Sequence, residues 1–218
     1  MTIAQVRPYR GVAADERRGL RRQSLIETGL DCLAEDGLSG VSVRSICAGA
    51  RLTPRYFYES FDGLDALLVA IVDSVAAEVA QRAIAAIAAA PDDLSAQVRA
   101  AVDAGYGVLA GDRRKANALL IAGAGHGPLR DRRQEIIMAY AELALVNLPP
   151  LRQLTATDRR RARATALFLV GGAAELIGAV LSGSLRLSRP RVVDQLTNMW
   201  VAALVQQAGG KASGVSRK

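Results

Sequence analysis

The sequence predicts an all-α protein of about nine helices. Half of its 218 residues are hydrophobic and 22% are charged, which is the balance of a globular chain rather than a disordered one. Alanine and leucine dominate, apolar residues recur at helical spacing, and β-branched residues are scattered. We find no internal repeat and no convincing strand. The expected architecture is a small N-terminal helical domain followed by a larger helical domain.

The first three helices are predicted to form the small domain. The first extends over residues 16–35, with Gly37 just beyond its end. Ser42 precedes a second, short helix and is a good N-cap, because its hydroxyl can accept a backbone N–H of the first turn. Thr53 is predicted to cap a third helix that starts with a proline and continues to about Ser60.

Six longer helices are expected in the rest of the chain. Prolines, glycines and aspartates at their ends set their limits. These helices are predicted over residues 64–90, 93–109, 112–122, 129–148, 157–181 and 190–207. Residues 1–15 are predicted to be a flexible basic arm and residues 209–218 a disordered tail. Between them, residues 16–63 form the first domain, the helix-turn-helix domain, and residues 64–208 the second.

The net charge of +7 is weak evidence for a nucleic-acid partner. Residues 1–65 hold nine basic and nine acidic side chains, whereas residues 112–218 hold seventeen basic and seven acidic ones. The N-terminal segment nevertheless sets a run of arginines against only Asp15 and Glu16. The run consists of Arg7, Arg10, Arg17, Arg18, Arg21 and Arg22. It is either a DNA-binding arm or a solvated terminus.

Four of the nine aromatic residues lie within LTPRYFYESF, residues 52–61. Two short helices joined by a few residues, the second opened by Thr-Pro-Arg, are typical of a helix-turn-helix motif. Tyr58 and Phe61 lie three residues apart, so we expect them to share a face and to pack on the first two helices, against residues such as Ile26 and Ile46. The N-terminal end of this helix is then free to enter the major groove of DNA.

Residues 22–71 resemble the DNA-binding domain of the tetracycline-repressor (TetR) family of bacterial transcription regulators. The resemblance rests on Gly37, Ser42-Val43-Arg44, Ile46, Ala50, Leu52-Thr53, the Tyr58-x-x-Phe61 pair and Ala66-Leu67. Arg51 and Leu64 depart from the glycine and the lysine that are usual in the family, and the second change puts one contact with the DNA backbone in question. The resemblance implies a homodimer, an all-helical C-terminal ligand domain, and loss of operator binding when a ligand binds.

We expect the helix-turn-helix to contact DNA through basic, hydroxyl and aromatic side chains. Arginine suits both phosphates and guanine edges, and hydroxyls at helix N-termini can combine capping with a phosphate contact. Tyr58 is either a core residue or a phosphate-binding hydroxyl. The predicted DNA-binding residues are Ser42, Arg44, Thr53, Pro54, Arg55, Tyr56 and Tyr58.

The second domain is expected to bind a small hydrophobic effector, because its helices are apolar with a few hydroxyls. A filled core would have the same composition. Glu175 is the one charge between Ala164 and Leu185, and it is either a ligand contact or half of an ion pair with an arginine across a dimer. The predicted pocket residues are Val69, Tyr106, Leu109, Leu120, His126, Tyr140, Phe168 and Glu175.

The last two helices are predicted to form a four-helix dimer interface, two helices from each subunit. Apolar residues recur at helical spacing on the final helix, and three glycines within residues 170–180 each cost about 1 kcal/mol relative to alanine unless another helix approaches closely. Ordinary core packing within one chain is the alternative. The predicted interface residues are Gly172, Leu176, Val180, Leu196, Met199, Trp200 and Ala203.

Nothing in the sequence indicates an enzyme, a cofactor or a metal site. It has no Ser-His-Asp set, phosphate loop or dinucleotide fingerprint, and His126 is its one histidine. Cys32 and Cys47 are expected to be reduced, buried thiols. Without a signal-peptide core or an uninterrupted apolar span, the protein is expected to be cytoplasmic and without a membrane partner.

Three functions from different classes follow from these observations. The first is a ligand-responsive repressor that binds a palindromic operator as a homodimer. The second is a DNA-binding regulator without a small-molecule ligand, either gated by a protein partner or constitutive. The third is an enzyme or lipid carrier that reuses the helical domain, and the helix-turn-helix residues argue against it.

Overall fold

A computed structural model describes residues 14–124, 127–148, 151 and 155–209. Within these residues the chain forms nine α-helices and no strand, so the predicted all-α class is confirmed. In chain order the helices are α1 (Ala14–Gly40), α2 (Val43–Gly49), α3 (Pro54–Tyr58), α4 (Leu64–Ala89), α5 (Leu94–Gly111), α6 (Arg113–Ala124), α7 (Pro128–Asn147), α8 (Ala156–Leu181) and α9 (Arg189–Gly209). The chain divides into two compact units, unit one at Met1–Leu67 and unit two at Leu68–Lys218.

The core of unit one is built around Phe57, which has no exposed surface. Its ring centroid lies 5.8 Å from that of Phe61, which is also buried. The other fully or nearly buried side chains of this core come from α1 and α2 and include Leu25, Ile26, Leu30, Leu33, Ile46 and Cys47. Cys32 and Cys47 are free thiols, the former partly exposed.

The expectation that Tyr58 packs in this core is wrong. Tyr58 is 60% exposed, and Phe57 takes the interior position. The three-residue spacing of Tyr58 and Phe61 suggested a shared face, but Phe57 lies four residues before Phe61 and takes that face. The Phe61 backbone N–H donates to the Phe57 carbonyl at 2.9 Å, so helical geometry brings these two rings to the same side.

The start of α2 is fixed by a reciprocal cap. The Ser42 hydroxyl accepts a hydrogen bond from the Ser45 backbone N–H, and the Ser42 backbone N–H donates to the Ser45 hydroxyl, both at 3.1 Å. This agrees with the predicted capping role of Ser42. Thr53 stands at the equivalent position of α3 but its side chain makes no capping hydrogen bond there. Pro54 in the first turn instead sets the helical φ of that residue.

Backbone geometry explains two glycines of unit one. Gly37 has φ 65°, so the chain leaves helical geometry there, although helical hydrogen bonding resumes as far as Gly40. A Cβ on Gly49 would lie 2.6 Å from Thr28 Cγ2, so any larger residue at this position would require the Thr28 side chain to shift. Arg51 has φ 54°, which is strained for any residue with a side chain and accounts for the glycine usual at this position.

Unit two is held together by α5 packed on α9 and by α7 packed on α8. Leu145 and Trp200 belong to one buried cluster that joins these four helices. Tyr106, Val192 and Leu196 form a second cluster between α5 and α9. Leu196 and Trp200, which are predicted to face another subunit, are both buried inside their own chain.

Helix α8 is apolar but little of it is buried. Among the described helices it is the one long and apolar enough to cross a membrane on length and composition alone, and only 11% of its most apolar stretch is buried. Phe168 is 77% exposed, and a Cβ on Gly171 or Gly172 would meet nothing within 4 Å. Unit two therefore presents a large uncovered apolar face.

We predict that Phe57→Ala destabilises unit one by about 3–5 kcal/mol, because it empties the centre of a core too small to absorb the loss. Tyr58→Ala, the neighbouring aromatic on the exposed side, should change stability by about 0.5 kcal/mol or less. Hydrogen exchange of the amides of α1, α2 and α3 measures both effects. Equal losses of protection in the two variants would show that Phe57 does not hold the unit together.

Candidate DNA-binding surface and effector cavity

The start of α3 carries the exposed side chains predicted to contact DNA. Residues 53–58 are all exposed except Phe57, and the side chain of Arg55 is 84% exposed. A helix held by one buried ring and surrounded by exposed polar and aromatic groups has the form required of a recognition helix.

Glu59 orients two arginines on this surface. Arg55 Nε donates to Glu59 Oε1 at 3.1 Å, and Arg21 Nη2 lies 3.9 Å from Glu59 Oε2. The Arg21 guanidinium also lies over the ring of Tyr56, 4.5 Å from its centroid. These exposed contacts add little stability, but they restrict where the arginines point. Glu59 is not among the predicted site residues, although its four-residue spacing from Arg55 indicates the pair.

The start of α2 and the turn after it add further polar groups. Ser42 and Arg44 are exposed, and the Ser42 hydroxyl is already engaged by the Ser45 N–H. Arg51 adds an exposed basic side chain in the turn between α2 and α3. Arg51 is not among the predicted DNA-binding residues, because at the level of the sequence it was only a departure from the usual glycine.

Unit two contains a cavity of about 620 Å³. Helices α4 to α9 all contribute to its wall, which is mostly aliphatic. Ile84, Val102, Ile137 and Ile177 are among the lining residues, together with Trp200. This volume lies within the usual range for sites that bind small molecules, and the lining suits an apolar ligand.

Only some of the predicted pocket residues line this cavity. Those that do are Tyr106, Leu109, Tyr140 and Glu175. Val69 is not part of the wall, and neither is Phe168, whose side chain is largely in solvent. The side chain of Leu120 and the whole of His126 lie outside the described residues. Apolar character alone did not distinguish a cavity wall from the uncovered face of α8.

Arg133 and Glu175 are the two charged residues of the described cavity wall, and they form an ion pair. Arg133 lies on α7 and Glu175 on α8, so the pair joins these helices. The Glu175 side chain is 75% exposed and that of Arg133 is 30% exposed, which places the pair where the cavity meets solvent. Glu175 thus lines the cavity and pairs within its own chain. Arg133 is not among the predicted pocket residues, because 42 residues separate it from its partner.

Three further polar side chains of the wall already donate hydrogen bonds to the backbone. The Tyr140 hydroxyl donates to the Ala76 carbonyl at 2.7 Å, and burial raises the pKa of Tyr140. The Asn147 amide and the Ser182 hydroxyl donate to carbonyls of α7 and α8, at 2.8 and 3.1 Å. These donors are consequently less available to a ligand than the guanidinium of Arg133.

No protein-family model matches the sequence, and no curated protein matches it. Solved structures do match. The regulator FadR of Bacillus subtilis, in complex with stearoyl-CoA, has a TM-score of 0.66 at 16% identity, with 81% of this chain and 96% of that chain covered. A Pseudomonas aeruginosa PAO1 protein assigned as a transcriptional regulator has a TM-score of 0.65 at 25% identity, with 88% of this chain and 92% of that chain covered. A TetR-like regulator from Rhodococcus sp. RHA1 has a TM-score of 0.58 at 19% identity, with 86% of this chain and 97% of that chain covered.

These similarities establish the class of fold. The chain has the fold of the TetR-like transcriptional regulators, with a helix-turn-helix unit followed by a helical unit. The resemblance stated from residues 22–71 is thereby confirmed at the level of the fold. The structural neighbours are regulators of transcription and not enzymes.

Burial of Tyr140 gives a prediction for pH. Its pKa is raised in the folded state, so the stability that the neutral phenol contributes is complete below about pH 10, the ordinary value, and is lost as the pH rises above it. Above pH ~10 the free energy of unfolding should fall more steeply for the native chain than for Tyr140→Phe, by up to about 1.4 kcal/mol per pH unit.

Urea unfolding followed by circular dichroism at a series of pH values measures this difference. Tyr58→Phe, a change in an exposed ring, is the control and should follow the native chain. Parallel curves for the native chain and Tyr140→Phe would contradict the buried placement of this phenol.

Proposed function

We propose that the protein is a transcriptional repressor that binds a palindromic operator as a homodimer and is released from it by a small apolar effector. The observation that carries the proposal is that one chain combines an exposed recognition helix, anchored by Phe57, with an apolar cavity of about 620 Å³ in its second unit. A constitutive or partner-gated regulator would need the first feature but not the second.

The proposed DNA contacts come from two groups of residues. Ser42, Arg44 and Tyr58 would bind phosphates and fix the position of the helix-turn-helix on the duplex. The N-terminal residues of α3, Thr53 and Arg55 foremost, would reach base edges in the major groove. Pro54 and Tyr56 complete the predicted surface.

The proposed dimer forms through the uncovered face of α8 and α9. Phe168, Met199 and Val205 are 77%, 48% and 58% exposed, which is unusual for side chains of this size. Gly172, four residues after Phe168 on α8, is also exposed, with open space at its Cβ position. The interface proposed here differs from the predicted one. Leu176, Val180 and Ala203 pack at least partly on the chain's own core, as Leu196 and Trp200 do fully.

The proposed switch acts through α4. This helix begins at Leu64, in unit one, and its residues from Val72 to Ile87 contribute to the cavity wall. A ligand that favours one arrangement of α4 would bias the DNA-binding state. To move the ratio of the DNA-binding state to the released state from 99:1 to 1:99, the ligand must bind the released state more tightly by about 5.5 kcal/mol. Burial of an apolar ligand can supply much of that energy. FadR of Bacillus subtilis, which shares the fold, was solved with stearoyl-CoA, and we propose a comparable use of the cavity here.

We predict that Arg55→Ala weakens specific DNA binding by about 1–3 kcal/mol, because it removes a base-reading guanidinium from the end of α3. The operator would be selected from randomised duplexes with the native chain, and affinity measured by fluorescence anisotropy. Arg82→Ala, an exposed arginine on α4, is the matched control and should bind as the native chain does. If no duplex is enriched, the proposed function fails.

We predict that Phe168→Glu converts the dimer into a monomer. The charge would lie in the proposed interface without a partner, whereas in the monomer this side chain is in solvent and the fold tolerates it. Light scattering on the eluted protein measures the mass. Met138→Glu places the same charge at an exposed apolar position of α7 and should leave the mass unchanged. An unchanged dimer in Phe168→Glu would exclude this face.

A further inference from the structure

We propose that the effector is an anionic amphiphile, whose apolar body fills the cavity and whose carboxylate takes the place of Glu175 on Arg133. The inference rests on the proposed function and adds the chemical class of the ligand. It depends on the one ion pair in the described cavity wall.

The two partners of this pair differ in how easily each can leave. The Glu175 side chain is 75% exposed, so it can return to water at little cost. The Arg133 side chain is only 30% exposed and would be left partly desolvated beside an apolar ligand. A ligand carboxylate keeps the charge of Arg133 paired, because it replaces the carboxylate of Glu175 by another. A ligand cation would have to displace the more buried partner instead.

Three other hydrogen-bond donors of the wall are already engaged. The Tyr140 hydroxyl, the Asn147 amide and the Ser182 hydroxyl each already donate to a backbone carbonyl. Arginine carries five N–H groups in a fixed fork, and the bond from Arg133 Nη2 to Glu175 Oε1 uses one of them. A carboxylate can accept two hydrogen bonds from this fork, whereas an alcohol gains less from it.

A second ion pair between the same helices provides a matched control. Arg163 Nε on α8 lies 2.6 Å from Glu142 Oε1 on α7, and neither residue lines the cavity. Removing Glu142 tests what the loss of an α7–α8 ion pair does by itself. Removing Glu175 does this and also frees Arg133.

The experiment compares three probes with the same alkyl chain, namely dodecanoate, 1-dodecanol and dodecyltrimethylammonium, below their micelle-forming concentrations. Trp200 is the single tryptophan of the chain and lines the cavity, so its fluorescence reports occupancy. Calorimetry gives the affinities. The native chain should bind dodecanoate most tightly of the three.

The variants separate the contributions of the two charges. Arg133→Gln should weaken dodecanoate binding about tenfold or more and leave 1-dodecanol unaffected, and Arg133→Lys should restore part of the loss. Glu175→Gln should strengthen dodecanoate binding several-fold, since it removes the competing carboxylate. Glu142→Gln should behave as the native chain.

The outcomes distinguish this inference from the function on which it rests. Equal binding of dodecanoate and 1-dodecanol, or an unchanged affinity in Arg133→Gln, overturns the inference while the apolar effector remains. Binding of none of the probes overturns both the inference and the effector proposal, while operator binding is unaffected. Binding through Arg133 without any change in operator affinity supports the inference and removes the proposed switch.

Discussion

Burial of the Phe57 ring is the interaction on which the DNA-binding surface depends. Helix α3 has five residues, far fewer than a helix needs to persist by itself in water. Its position therefore comes from packing and not from its own hydrogen bonds. The Phe57 ring is the one fully buried side chain of α3, and it lies beside Phe61 in the small core made with α1 and α2. With Phe57 facing inward, the neighbouring side chains of α3 face solvent, where DNA can reach them.

A second constraint acts in unit two, which has more apolar surface than its own packing covers. Apolar surface is left uncovered in two places, the cavity and the face of α8 and α9 that includes Phe168. Uncovered apolar surface of either kind costs free energy in water, and the cost falls when something covers it. Small side chains such as Ala80, Ala83 and Gly105 keep the cavity open. The same excess of apolar surface therefore favours binding of a ligand in the cavity and of a second subunit on the exposed face.

The sequence predicted what local chemistry determines. The helical class, most helix limits and the Ser42 cap depend on spacing and on groups a few residues apart. It failed where two local patterns competed. Tyr58 and Phe57 are both aromatic residues in a short helix, and they lie three and four residues before Phe61. The four-residue pair of Phe57 and Phe61 takes the buried face, and Tyr58 is left exposed. Trp200 and Met199 are adjacent and apolar, and the position of α5 decides which of them faces inward.

The ion pair at the cavity mouth shows a further limit of sequence patterns and gives the site its chemistry. Glu175 drew attention as an isolated charge, but its partner Arg133 lies on another helix, so no periodicity could connect the two. Once α7 and α8 pack together, the pair becomes the charged edge of an apolar cavity. Filling that cavity supplies affinity in proportion to the apolar area buried, without regard to the head group. The guanidinium supplies the selection, because a ligand that buries its apolar body here must also satisfy the charge of Arg133 or leave Glu175 in place.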